Sequence, residues 1–205
     1  MDTDRLRVLR TIRLKGRVLP GDLPASAGAD ESSCATITQD FLTSGLAEEA
    51  RGRLKLTTAG RERLTELLTA ERNTVDARAV EGLYAEFGDF NSELKSLMTR
   101  WQLKTADTPN LHDDPDYDQA VIDDLAALDA RFRSLLARLV DTVPRLGHYP
   151  TRFAEALGRV QAGDHSWFAK PLADSYHTVW FELHEDLIGL AGLTRLEEAA
   201  AGRAE

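Results

Sequence analysis

The chain has 205 residues, of which 42% are hydrophobic and 29% charged, and a net charge of −9 at pH 7. This suits a globular protein with a real core, built as one large domain or two small ones. No apolar run reaches the roughly 18 residues that span a bilayer. The charged start MDTDRLRVLR has no signal-peptide core, and the lone Cys34 excludes an internal disulfide or a cysteine-based zinc site. A cytoplasmic protein with no membrane partner is expected.

Residues 2–15 carry Leu6, Leu9, Ile12 and Leu14 at helical spacing, thickened by Val8, and Gly16 ends this first helix. After the Leu19-Pro20-Gly21 turn a short second helix runs to about Ala27, and Gly28-Ala29-Asp30 makes a tight connection. A third helix follows, with Ile37, Phe41 and Leu42 on its apolar side and Ser32 or Ser33 as N-cap. Gly45 stops it and Leu46 packs back. Glu48 to Arg53 reads as a polar turn, and Leu54-Lys55-Leu56 as a strand. Thr57 or Thr58 caps a fourth helix carrying Leu64, Leu67 and Leu68.

The run Ser44-Gly45-Leu46 and the run Leu54-Lys55-Leu56-Thr57-Thr58-Ala59-Gly60-Arg61 resemble winged-helix repressors of the MarR and PadR kind. The resemblance covers roughly the first third of the chain. It implies that residues 1–72 form a winged helix-turn-helix with a small β-hairpin wing, binding double-stranded DNA as a homodimer. The third helix would lie in the major groove, offering Ser32, Ser33, Thr36, Thr38 and Gln39. Arg51, Arg53 and Lys55 of the wing would supply phosphate or minor-groove contacts. Charge partition agrees with this division of labour. Residues 1–72 hold 12 Lys/Arg against 11 Asp/Glu, a balance of +1, so the remaining 133 residues carry −10 and are unsuited to nucleic acid.

Residues 73–205 read as an all-α dimerisation and effector-binding domain, which makes the whole chain mainly α. From Asp76 to Lys104, Val80, Leu83, Tyr84, Phe87, Phe90, Leu94, Leu97, Met98 and Trp101 form one long stripe. It suits either the core of this domain or a dimer interface. Thr105 to Asp118, with its two prolines and five aspartates, reads as a mobile acidic connection. Helices are expected over residues 117–143, from Thr151 to Val160, from Ala173 to Gly189, and weakly from Thr194 into an alanine-rich tail.

The helix carrying Tyr176, His177, Trp180, Phe181 and His184 holds more rings and imidazoles than packing asks for. With Trp101 and Trp167 these residues suit an effector pocket, which needs apolar walls and a few placed polar groups. The alternatives are histidines bonded beside an ordinary core, or a metal site drawing on His148, His165, Asp174 or Glu185. His177 and His184 lie about 10.5 Å apart along a helix axis, too far to share one ion, so no metal and no cofactor is expected. Enzymatic motifs such as GxSxG or a P-loop are absent. The expected function is therefore a DNA-binding transcriptional regulator. A winged helix turned protein-interaction module, and a small helical enzyme using His177 and His184, are the alternatives.

Overall fold

The computed structural model describes residues 3–171 and 173–200, leaving aside the side chain of Glu197. The chain divides into two units: Met1–Val75 with Arg145–His148, and Asp76–Pro144 with Tyr149–Glu205. The fold is mainly α, with a small antiparallel hairpin after the N-terminal helices and an all-α remainder. Among the described residues no helix is long and apolar enough to cross a membrane.

In the first unit, α1 (Thr3–Lys15), α2 (Leu23–Ala27) and α3 (Glu31–Thr43) precede β1 (Ala47–Ala50), β2 (Arg53–Leu56) and α4 (Thr58–Arg72). Leu6, Leu9, Ile12, Leu23, Ile37, Phe41, Leu54 and Leu64 share one core. α3 is capped by the Asp30 side chain, which accepts from the Ser33 amide at 2.9 Å. The cap expected at Ser32 or Ser33 therefore falls earlier: Glu31 opens the helix, and the residue before it is itself a short acceptor. Gly45, at φ 72°, ends α3. The Leu46 amide reaches back to the Phe41 carbonyl (2.9 Å) and the Gly45 amide to Leu42 (3.2 Å), a Schellman closure.

The hairpin is longer than the sequence suggests. Glu48 and Glu49, read as part of a polar turn, are strand residues paired with Lys55 and Leu54, and only Arg51-Gly52 form the turn. Val18 adds a further bridge, exchanging backbone hydrogen bonds with Leu54. The segment Arg145–His148 belongs to this unit. Arg145 is buried and its Nε donates to both oxygens of Glu71 at 2.8 and 2.9 Å. A Cβ on Gly28 would stand 2.3 Å from the His148 Cβ, so only glycine fits there.

The second unit comprises α5 (Ala77–Gln102), a hairpin of β3 (Leu103–Thr105) and β4 (Thr108–Pro109), α6 (Pro115–Thr142), α7 (Tyr149–Gln161), α8 (Tyr176–Leu190) and α9 (Arg195–Ala200). The α5 stripe is spent in this unit's own core, against α6 and α8. Trp180 lies at the centre, 5.0 Å from Phe87 and 4.6 Å from Phe132 between ring centroids. Its indole N–H donates to Asn91 at 3.0 Å.

Three boundaries differ from expectation. α6 begins at Pro115 and α7 at Tyr149-Pro150, because proline fits a first helical turn whose amides lack partners anyway. α8 begins at Tyr176, capped by Ser175, rather than at Ala173. The connection expected to be mobile is held by buried Asn110, which donates to the Trp101 carbonyl (3.1 Å) and to Asp118 (2.7 Å). Residues 201–205 of the alanine-rich tail lie outside the described residues.

Candidate nucleic-acid interface and ligand pocket

In the first unit α3 exposes Ser32, Thr36, Gln39, Asp40 and Thr43, and half-buries Ser33. Thr38 does not join them. It follows Ile37 and lies one turn after Cys34, which puts it on the buried face beside that residue. Burial pushes the Cys34 thiol's pKa up, the opposite of an activated nucleophile. The Thr36 hydroxyl donates to the Ser32 carbonyl (3.0 Å) and the Thr43 hydroxyl to Gln39 (2.9 Å). With its proton turned back into the helix, each hydroxyl offers only lone pairs outward. Lone pairs suit the amino groups of adenine or cytosine and repel phosphate.

The charges around this face are sorted. Asp40 accepts from Arg5 at 2.8 Å. Lys55 is tied to its cross-strand neighbour Glu48 at 2.8 Å, a hydrogen bond that holds the Glu48 carboxyl below its ordinary range. Arg51 and Arg53 make no ion pair among the described residues. Arg51 and Gly52 both have positive φ, 54° and 72°, as a two-residue hairpin turn of the primed type demands. Asparagine or aspartate is the easy residue at the first of these positions. An arginine there costs about 1 kcal/mol or more of backbone strain, which leaves a cation at the tip of the wing.

In the second unit, α5, α8 and α9 enclose a pocket of about 160 Å³. His177, Trp180, Phe181 and His184 of α8 line it, with Leu94, Lys95, Met98 and Thr99 of α5 and Arg195 of α9. The pocket runs along α8, which is why two histidines seven residues apart face one space. Exposed Thr99, Gln102 and Phe181 mark its open side. Trp101, Trp167 and Tyr176, grouped with these residues on the sequence, are elsewhere. Trp101 stacks on Phe168 at 4.3 Å and meets His112 at 4.5 Å. Trp167 lies under the Arg159 guanidinium at 4.1 Å. Tyr176, one turn before Trp180, is driven into the core and donates to Asp129 at 3.2 Å.

His184 is buried, and its Nε2 meets the Tyr84 hydroxyl at 3.2 Å. That hydroxyl donates to the Glu198 carboxylate at 2.6 Å. With the tyrosine proton committed to Glu198, the ring must donate to the tyrosine oxygen, which assigns the Nε2–H tautomer. Burial, ahead of the opposing charges of Glu185 and Glu198, lowers the His184 pKa to about 4. The ring is therefore neutral at pH 7. Arg195 pairs with Glu185 and lies over the Phe181 ring at 4.7 Å. Lys95 makes no ion pair among the described residues.

Asn91, Lys95 and Arg195 were not singled out on the sequence. For Asn91 and Lys95 the signal there is spacing, since Asn91, Lys95, Met98 and Gln102 follow one face of α5; Arg195, on α9, has none. Among the described residues no three of His, Cys, Asp and Glu converge as the ligands of a metal ion do. No family model matches the chain, and neither does any curated protein or any solved structure.

Proposed function

We propose that the chain is a DNA-binding transcriptional regulator of the winged-helix kind, cytoplasmic and homodimeric, whose helical unit binds a small effector. The observation that carries the reading is the wing tip. Arg51 sits in a strained left-handed conformation, and among the described residues neither it nor Arg53 makes an ion pair, beside a helix whose outward face is polar. Cations so placed suit phosphate, and the hydroxyls and amide of α3 suit base edges. One copy offers little positive charge, so a second copy on a two-fold site supplies the remainder. The α5 stripe is internal to its unit, so the two copies meet through other surfaces. The test is fluorescence anisotropy of the full chain on duplexes from upstream of its own reading frame, at several salt concentrations. Saturable binding that weakens steeply with salt upholds the reading. Binding absent at low salt on every duplex removes it.

One observation favours a second reading, a winged helix used for protein interaction. α3 carries no lysine or arginine, and its exposed Asp40 is already matched by Arg5. With exposed Glu31 besides, such a face has no positive charge of its own and suits a polar protein surface. Failure on DNA together with a partner whose binding is lost in a Thr36→Asp, Gln39→Glu variant would establish it.

A further inference from the structure

The lining of the pocket between α5 and α8 is asymmetric in charge. It includes Lys95 and Arg195 and, among the described residues, no carboxylate. Arg195 is neutralised by Glu185, outside the lining. Among the described residues Lys95 makes no ion pair, in a chain that carries −9 overall. Leu94, Met98, Trp180 and Phe181 give the pocket an apolar side and Asn91, Thr99, Gln102 and His177 a polar one, so the lysine stands beside apolar surface. The pocket measures about 160 Å³, room for a group the size of one benzene ring. A dication is excluded by the Lys95 ammonium, and a large polyanion by the volume.

We propose that this pocket binds a small monocarboxylate whose apolar body is one ring or a short chain, with the carboxylate on the Lys95 ammonium and the body against Trp180 and Phe181. Neutral His184, held by Tyr84, forms part of the inner wall and does not compete for the anion. The proposal rests on the effector reading above for its biological meaning, and on the pocket alone for its chemistry.

Calorimetric titration of the full chain with benzoate, cyclohexanecarboxylate and hexanoate tests it, with benzylamine and benzyl alcohol as controls. At least one carboxylate is expected to saturate a single site with a Kd of about 1 mM or tighter, and benzylamine to give no saturable heat. Lys95→Met, at a half-exposed position, is expected to weaken that binding about tenfold, equivalent to about 1.4 kcal/mol, with the melting temperature unchanged. Thr99→Trp, at the open side, is expected to abolish it by filling the mouth. The proposal is overturned if no carboxylate saturates, if Lys95→Met binds like the parent, or if benzylamine binds as well as benzoate. The anisotropy measurement separates the two readings. Carboxylate binding without any DNA binding leaves the pocket standing and removes the regulator. DNA binding with no carboxylate bound does the reverse.

Discussion

The Thr57 hydroxyl donates to the Gly45 carbonyl oxygen at 2.6 Å, so the residue that starts α4 also closes α3. Its oxygen accepts from the Gly60 amide at 3.1 Å, and its own amide donates to Leu46 at 3.1 Å. Gly60 completes the joint. A Cβ there would stand 1.9 Å from the Leu46 carbonyl oxygen. Gly60→Ala must therefore push backbone against backbone, and a loss of about 3 kcal/mol is expected. Thr57→Val removes the cap for about 1 kcal/mol. Gly82→Ala is the control: its Cβ meets nothing within 4 Å in the interior of α5, and a gain of about 0.5–1 kcal/mol is expected. Urea unfolding followed by circular dichroism ranks the three; equal effects for Gly60 and Gly82 would refute the close-approach argument.

His184 makes stability depend on pH in a predictable direction. Its folded pKa is about 4 against about 6.5 in a solvated chain. Above pH 6.5 the ring is neutral in both states and contributes nothing. Below it the unfolded chain takes up a proton that the folded chain refuses. Stability falls until the folded ring protonates near pH 4, by a total on the order of 3 kcal/mol. His184→Gln, which retains a donor for Tyr84, is expected to flatten the slope between pH 6.5 and 5, read as melting temperature against pH. An unchanged slope would place the titration elsewhere.

The joint at Thr57 and Gly60 shows what kind of information a sequence carries openly. The hairpin, the stop at Gly45 and the cap at Thr57 are legible because each depends on neighbours a few residues away, whose backbone chemistry is local. The α5 stripe is legible for the same reason, since burial follows helical periodicity. Thr38 was misplaced because α3 is polar on much of its surface, and hydroxyl residues fit either side of its boundary. Tyr176 and Trp101 were misplaced because an aromatic residue reads alike in a core and in a pocket wall. The pairing of Arg145 with Glu71, across 74 positions, leaves no local trace. Lys95 and Arg195 meet around one cavity only because α5 and α9 pack on α8, and no spacing rule connects them.

Arg152 in α7 is almost wholly buried and joins two carboxylates, Glu182 at 2.7 Å and Asp174 at 3.1 Å. Removing one member of a buried ionic set strands the others. Arg152→Met is expected to cost about 3–5 kcal/mol, whereas Arg152→Met with Glu182→Met, which removes both buried charges, is expected to recover much of that loss. Urea unfolding followed through tryptophan emission reads the second unit, which holds Trp101, Trp167 and Trp180. If the double variant is as unstable as the sum of the two single ones, the pair is not the source of the cost.

The wing gives the most direct measure of the proposed interface. Arg51 and Arg53 are the cations of this hairpin left without an ion pair among the described residues, while Lys55 is held by Glu48. Each phosphate neutralised on duplex DNA contributes about 0.9 to the slope of log affinity against log salt concentration. Arg51→Ala with Arg53→Ala is therefore expected to lower the slope by about 1.8 per copy bound, and to weaken binding alike on every sequence. Lys55→Ala should change the slope less, because freeing Glu48 adds a repulsive charge without removing a phosphate contact. Gln39→Ala should leave the slope untouched and reduce discrimination between duplexes, since an amide reads bases and carries no charge. Anisotropy titrations of these variants from low to moderate salt separate the outcomes. A slope indifferent to Arg51 and Arg53 would take the wing out of the interface.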